Sequence, residues 1–309
     1  MNVLVTGGAG FIGSHLVEFL VARGCRVTVL DDLSTGKREQ LAAVADHIRF
    51  VEGDIRDEAL VDEVVRGQEL VFHLCDNSDI RFAASHPRTY VDQNVLGCFL
   101  LLESMRRHGV RKIVFPSSTT VLGDATAVPT PESYGPLHPM NLYGGAKLAA
   151  EALISAYCYS FDLRGWIFRF VDIVGARIDH GVIFDFVRKL RADATRLEIL
   201  GDGSQRRSFL LVDECVEAMW LALESCENVV NTIHLGNRDQ ISIAQVAEIV
   251  RDEMGLADAR FEYTGGKKGW KGDAYTNFLA NDTLDRIGWR PRHDSARTVR
   301  EAARSLIRG

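Results

Sequence analysis

Residues 2–20 read NVLVTGGAGFIGSHLVEFL, and no other stretch constrains the fold as much. An apolar run suited to a strand meets Gly7, Gly10 and Gly13, spaced three apart. The residues after them repeat with helical spacing. Glycine permits the tight turn and lets a ligand approach the backbone closely. The helix start that follows offers unpaired N–H groups and the positive end of a dipole, a combination that suits a pyrophosphate. A glycine motif means little in isolation, but one set between a first strand and a first helix stands where a dinucleotide loop stands.

The alternation continues. Strands are expected at 26–31, 48–54, 69–74, 112–118 and 164–171. Helices are expected at 57–67, 89–109 and 143–161. Near-continuous apolar strands alternating with helices predict an α/β fold, a Rossmann-type doubly wound parallel sheet covered on both faces. Beyond residue 172 the order loosens. Helices are expected at 181–191, 213–225, 242–254 and 295–308, with short strands near 197–200, 209–212 and 232–235. We therefore expect residues 1–171 to form the dinucleotide-binding domain. Residues 172–309 should be mainly a smaller, interleaved C-terminal substrate domain, with some segments returning to the first.

A chain of 309 residues, 46% hydrophobic and 25% charged, is long enough for a substantial core. Its formal net charge of -6 argues against nucleic acid or an anionic membrane as partner. Cys25, Cys75, Cys98, Cys158, Cys215 and Cys226 form no CxxC and no zinc-ligand spacing with histidine. They read as small buried hydrophobes in a reducing compartment, and no metal site is expected. No apolar run reaches the length of a membrane span, and the N-terminal stretch is not a signal peptide, so a cytoplasmic protein is expected.

Asp31 and Asp32 end the second strand. Carboxylates there can accept hydrogen bonds from ribose hydroxyls and would repel a 2′-phosphate, which favours NAD over NADP. Asp54, in "GDI" after the third strand, could reach an adenine amino group. Tyr143 and Lys147 stand four apart in "YGGAK". Alone, that pair is ordinary helix surface.

Together these features are more specific. TGGAGFIG at 6–13, the acidic end of the second strand, SST at 117–119, YGGAK at 143–147 and GDGSQRRSFLLVDE at 201–214 resemble the extended short-chain dehydrogenase/reductases, in their NAD-dependent epimerase/dehydratase branch. The resemblance covers nearly the whole chain. It implies a nucleotide-sugar 4-epimerase of the UDP-glucose/UDP-galactose type, working through transient oxidation at C4. Ser118, Tyr143 and Lys147 are then catalytic, with Ser117 the alternative to Ser118. Tyrosine ionises near pH ~10, so it needs the lysine ammonium to act as a base at neutral pH. Thr119 and Thr120 stand where the family's dehydratases and decarboxylases carry carboxylates. Those reactions, with simple ketoreduction, are alternatives, and a non-catalytic dinucleotide-binding regulator is a remote one.

The resemblance also assigns Phe11, Ile12, Ile55, Leu74, Cys75 and Gln93 to the cofactor. It assigns Ser118, Tyr143, Asp172, Val182, Ile199, Arg207 and Asp273 to the substrate, with Glu198 and Leu200 flanking Ile199. Arg207 aligns with a diphosphate clamp, a role suited to a guanidinium. His73 reads as a packed structural histidine, and His180 has no assigned role. Four departures stand out. HLCD at 73–76 replaces HxAA, so Cys75 and Asp76 take the places of small residues. VLG puts Leu122 in place of a tyrosine. RFVDIVG puts Asp172 in place of an asparagine. WKGD at 270–273 replaces RPGD, leaving Lys268 or Lys271 to take the place of an arginine. Stretches 95–105 and 147–161 are apolar most of the way round, which a helix facing water would not be. In similar enzymes the equivalent helices pair across a two-fold axis, so a homodimer is expected.

Overall fold

The computed structural model describes residues 1–77, 85–270, 272 and 274–308. The chain runs through β1 (Asn2–Thr6), α1 (Phe11–Ala22), β2 (Arg26–Asp31), β3 (Ile48–Glu52), α2 (Glu58–Val65), β4 (Leu70–His73) and α3 (Pro87–Tyr90). It continues with α4 (Gly97–His108), β5 (Lys112–Ser118), α5 (Leu142–Phe161), β6 (Arg164–Phe170), β7 (Asp172–Val174), α6 (Val182–Ala192) and β8 (Arg196–Ile199). Then come β9 (Arg206–Arg207), β10 (Phe209–Leu211), α7 (Val212–Ser225), β11 (Val230–Leu235), β12 (Ile241–Ser242) and α8 (Ile243–Glu253). Last are β13 (Arg260–Tyr263), β14 (Thr276–Asn277), α9 (Asp282–Arg286) and α10 (Ser295–Arg308).

Two compact units account for these elements. The first comprises 1–121, 141–169 and 219–233, and the second 122–140, 170–218 and 234–309. In the first, a seven-stranded sheet has the order β11-β6-β5-β4-β1-β2-β3. β1 pairs in parallel with β2 and β4, β2 with β3, and β4 with β5, with Thr6 opposite Leu30 on one side and His73 on the other. The order reverses between β1 and β4, and in open α/β sheets ligands bind beyond the carboxyl ends of the strands at such a switch point. Leu4, Leu30, Val71, Ile113, Phe115 and Ile167 pack with Leu101, Met105 and Ile154 in one buried cluster.

The helix expected over 89–109 is not continuous. Between α3 and α4 lies a π-helical turn, residues Val91–Leu96. Such a turn widens the helix by a residue, which a 3.6-residue periodicity cannot reveal, and it often marks a functional site. It carries Asn94, which is buried. α4 and α5 are only partly covered by their own unit: Leu101, Leu102, Met105, Ile154 and Cys158 are buried, whereas Leu96, Phe99, Tyr159 and Phe161 are exposed.

In the second unit, β7 pairs in parallel with β10, β8 with β13, and β9 lies between β12 and β14. Helices α6, α8 and α10 pack on one another. Ser242 and Gln245 close a capping box at the start of α8.

Candidate active site

The glycine loop is built for close approach. Gly10 precedes α1 without any side-chain capping bond, so Phe11 and Ile12 begin the helix with backbone N–H groups available to an anion. A side chain at Gly13 would put its Cβ 2.1 Å from the Gly7 carbonyl oxygen. Gly7 N donates to Leu30 O at 2.8 Å, which ties the loop to β2. Asp31 is buried, and its two oxygens accept from Ala9 N at 2.8 Å and Leu33 N at 2.9 Å. Burial pushes its carboxyl above the usual range, and the two N–H donors oppose that. Each oxygen keeps a lone pair for a ribose hydroxyl. Asp32 instead accepts from Ser34 N and Ser34 Oγ in a local turn. These residues fit a dinucleotide.

The other cofactor candidates lie in the same unit. Arg56 donates to Asp54 and holds its carboxyl below the ordinary range. Ile55 is buried against Gly97. Leu74 N donates to Thr6 O at 3.0 Å, and Cys75 N to Thr6 Oγ1 at 3.3 Å. Burial raises the Cys75 thiol well above its ordinary value, so it stays protonated. Gln93 lies on the π-helical turn, one residue before Asn94. His73 is fully buried, its Nδ1 is 2.9 Å from Thr6 Oγ1, and burial, aided by the Lys147 charge, lowers it to about 3. It is a neutral packed histidine.

Tyr143, Ser118 and Lys147 converge. Asn141 caps α5, accepting from Gly144 N at 2.8 Å. A Cβ at Gly144 would lie 2.5 Å from Thr120 O. Glycine there lets the first turn of α5 sit directly on the segment after β5. The Tyr143 phenol is thereby within hydrogen-bonding reach of Ser118. Ser118 Oγ also accepts from Thr120 N at 3.1 Å. Ser117, the alternative, points elsewhere: its hydroxyl donates to Glu151 Oε1 at 2.5 Å. Glu151 in turn binds Arg169 through both oxygens, at 3.1 and 2.8 Å, and all three side chains are buried. This pair and Asn94 are functional-site neighbours that the sequence reading missed.

Lys147 is buried, and its ammonium donates to Pro116 O at 2.6 Å and lies 2.6 Å from Asp76 Oδ2. It stands 5.7 Å from the centre of the Tyr143 ring. Asp76 is also within hydrogen-bonding reach of the Tyr143 hydroxyl. Burial, then the Asp76 charge, push Tyr143 well above the ordinary phenol value, while Ser118 acts the other way. A carboxylate thus stands beside the ammonium expected to favour the phenolate, and it opposes that effect.

In the second unit, Asp172 opens β7 and Arg207 closes β9. Arg207 Nε lies 3.8 Å from Asp172 Oδ2. Ile199 is fully buried in β8, and Glu198 beside it pairs with Lys189 at 2.9 Å. Leu200 follows, its carbonyl accepting from Gln205 at 3.2 Å. Val182 begins α6 and is half-buried. His180 pairs with Asp179 at 3.0 Å. Leu122 is buried. The Lys268 charge is engaged by Asp124 at 2.7 Å. Asp273 and Lys271 lie outside the described residues. Among the described residues no His/Cys/Asp/Glu group could hold a metal ion, and no helix is long and apolar enough to cross a membrane.

A dinucleotide loop on a doubly wound sheet, with a serine, tyrosine and lysine beyond β5, defines a short-chain dehydrogenase/reductase type of enzyme. The NAD dependent epimerase/dehydratase family matches residues 3–236, and the chain belongs to it. A UDP-glucose 4-epimerase of Corynebacterium glutamicum is 31% identical over 327 residues, covering 98% of this chain and 94% of that one. A crystal structure of a UDP-galactose 4-epimerase superposes with a TM-score of 0.90 at 36% identity, covering 100% of this chain and 99% of the other. A dTDP-glucose 4,6-dehydratase of Streptomyces venezuelae, solved with NAD, also gives 0.90, at 28% identity over 100% of this chain and 98% of that one. The cofactor is NAD.

Proposed function

We propose that this chain is a nucleotide-sugar 4-epimerase of the UDP-glucose/UDP-galactose type, and that it works in the cytoplasm. NAD, when bound, would supply reversible hydride acceptance at C4 of the sugar, which permits return to either face. In this reading Ser118 holds the C4 oxygen, Tyr143 takes its proton and returns it, and Lys147 orients the cofactor ribose. Gly7, Gly10, Phe11, Ile12 and Gly13 cradle the pyrophosphate, and Asp31 and Asp32 meet the adenosine ribose. Asp54, Ile55, Leu74, Cys75 and Gln93 complete the cofactor contacts. Arg207 binds the substrate diphosphate, beside Asp172, while Val182, Ile199 and Asp273 receive the nucleoside. The unit holding the seven-stranded sheet is then the cofactor domain and the other the substrate domain.

The observation that carries this reading is the meeting of Tyr143 with Ser118 and Lys147, on a chain with Thr119 and Thr120 in the next positions. Oxidation and re-reduction at one carbon need only the first three groups. Eliminating water across C5 and C6 needs an acid and a base, and neither threonine supplies one. The similarity to a dehydratase makes that the competing reaction. Mass spectrometry of ligands released from the purified protein, then a panel of UDP- and dTDP-sugars followed by NMR, tests the proposal. Interconversion of two C4 epimers is expected. A 4-keto-6-deoxy product, or a pentose formed with loss of carbon dioxide, would overturn it.

A further inference from the structure

Asp76 stands where the resembling family has a small neutral residue, so the Ser-Tyr-Lys chemistry does not call for it. Its carboxylate nevertheless reaches both working ends of that set, 2.6 Å from Lys147 Nζ and within hydrogen-bonding reach of the Tyr143 hydroxyl. Both ionic side chains are largely buried, Lys147 at 3% and Asp76 at 16% exposure. Water therefore screens the contact weakly.

We propose that Asp76 is a positioning residue that grips the Lys147 ammonium and keeps Tyr143 a protonated phenol. The inference deepens the epimerase reading and rests on it for its catalytic meaning. An ammonium beside a phenol favours the phenolate, and a carboxylate beside the same phenol opposes it. Here the carboxylate sits 2.6 Å from the ammonium and offsets its charge, while its own negative charge acts on the phenol. The other groups facing Tyr143 do not replace it. Tyr90, from α3, meets the ring edge-on at 6.5 Å, and the Ser118 hydroxyl, from β5, carries no charge. His73, near Lys147, is neutral as well. Tyr143 consequently becomes a base only as the hold of Asp76 is relieved, by a positive charge brought close or by movement of Lys147 toward another oxygen ligand.

The test is a spectroscopic titration of the full-length chain as purified. Ultraviolet difference absorbance of the phenolate is recorded for wild type and for Asp76→Asn, with Tyr143→Phe as the blank for the other tyrosines. Asparagine keeps the shape and removes the charge, and Asp76→Ala serves if the amide variant does not fold. The Tyr143 midpoint should fall by about one pH unit or more. The rising limb of the pH–rate profile should move the same way, which a merely structural role would not cause. Superimposable titrations, including no Tyr143 phenolate in either protein across the folded range, would overturn the inference. A shifted titration without turnover of any nucleotide sugar would leave it standing and sink the epimerase reading instead.

Discussion

Arg207 and Asp172 form a loose ion pair, Nε to Oδ2 at 3.8 Å, in which the arginine side chain is 11% exposed and the carboxylate 42%. The departure from a neutral amide at position 172 thus comes with a nearby cation. A pair this long and this open contributes at most ~1 kcal/mol. Asp172→Asn leaves more of the guanidinium charge for a diphosphate, so UDP should bind about two- to fivefold more tightly by calorimetry. Arg207→Leu should weaken the same binding at least tenfold, or ~1.4 kcal/mol. Weaker UDP binding by Asp172→Asn would instead show that the carboxylate reads a donor on the ligand.

Tyr143→Phe keeps the buried ring and its edge contact with Tyr90 but removes the phenolic oxygen through which a proton could pass. Turnover should fall by about a thousandfold, equivalent to ~4 kcal/mol. NAD content, measured on the released nucleotide, should be unchanged. More than a tenth of wild-type turnover would remove Tyr143 from the proton path.

Asp31 and Asp32 look alike in sequence but do different work. Asp31 ties Ala9 and Leu33 to β2, whereas Asp32 accepts from Ser34 within its own turn. Asp31→Ala should therefore cost at least tenfold in NAD affinity, roughly 1.4 kcal/mol, while Asp32→Ala costs less than half of that. Equal losses would mean that the glycine loop holds its shape without Asp31.

Much of this architecture was legible. Short apolar runs such as VLVT and KIVF, rich in β-branched residues and bounded by turn signals, suit a buried strand, and the glycine loop announced where β1 ends. The π-helical turn was not legible, because six residues are too few to separate its period from that of an α-helix. The choice between Ser117 and Ser118 was open for a related reason. Neighbours on a strand face opposite ways, but a single strand does not say which face is which. Glu151 and Arg169, 18 residues apart, give no sign of their pairing until α5 is laid beside β6. Asp76 was visible as a departure, but its meaning depends on where β4, β5 and α5 end relative to one another.

Acid stability provides a test away from the candidate site. Arg106, then Tyr157, hydrogen-bond Glu103 and lower its carboxyl from 4.5 to about 2. The folded value lies below the unfolded one, so the contact stabilises the fold above pH 4.5 and is lost as pH falls from 4.5 toward 2. Its partly exposed location, with an exposed Arg106 as partner, reduces the effect to ~1 kcal/mol. Thermal melts should show Glu103→Gln less stable than wild type near neutrality, with the difference closing below pH 4.5. A gap that stays constant with pH would show that Glu103 acts through packing alone.

The same helices carry the assembly question. Leu96 and Phe99 on one side, and Tyr159 and Phe161 on the other, expose 42%, 39%, 71% and 39% of their surface. Phe99 meets Tyr157 edge-on, and Tyr157 meets Phe161, so these rings form one continuous apolar strip across α4 and α5. Isolated exposed hydrophobes are common, but a contiguous strip rich in aromatic residues marks an interface. A second copy is the natural cover, because a two-fold axis lays the same strip on itself. We therefore expect a homodimer, with light scattering giving twice the chain mass of 34.3 kDa at micromolar concentration. Phe99→Glu with Phe161→Glu places two carboxylates per subunit against their own copies and should yield monomers that still bind NAD. A wild-type mass of one chain would exclude the dimer. A double variant that remains dimeric would place the contact on another face.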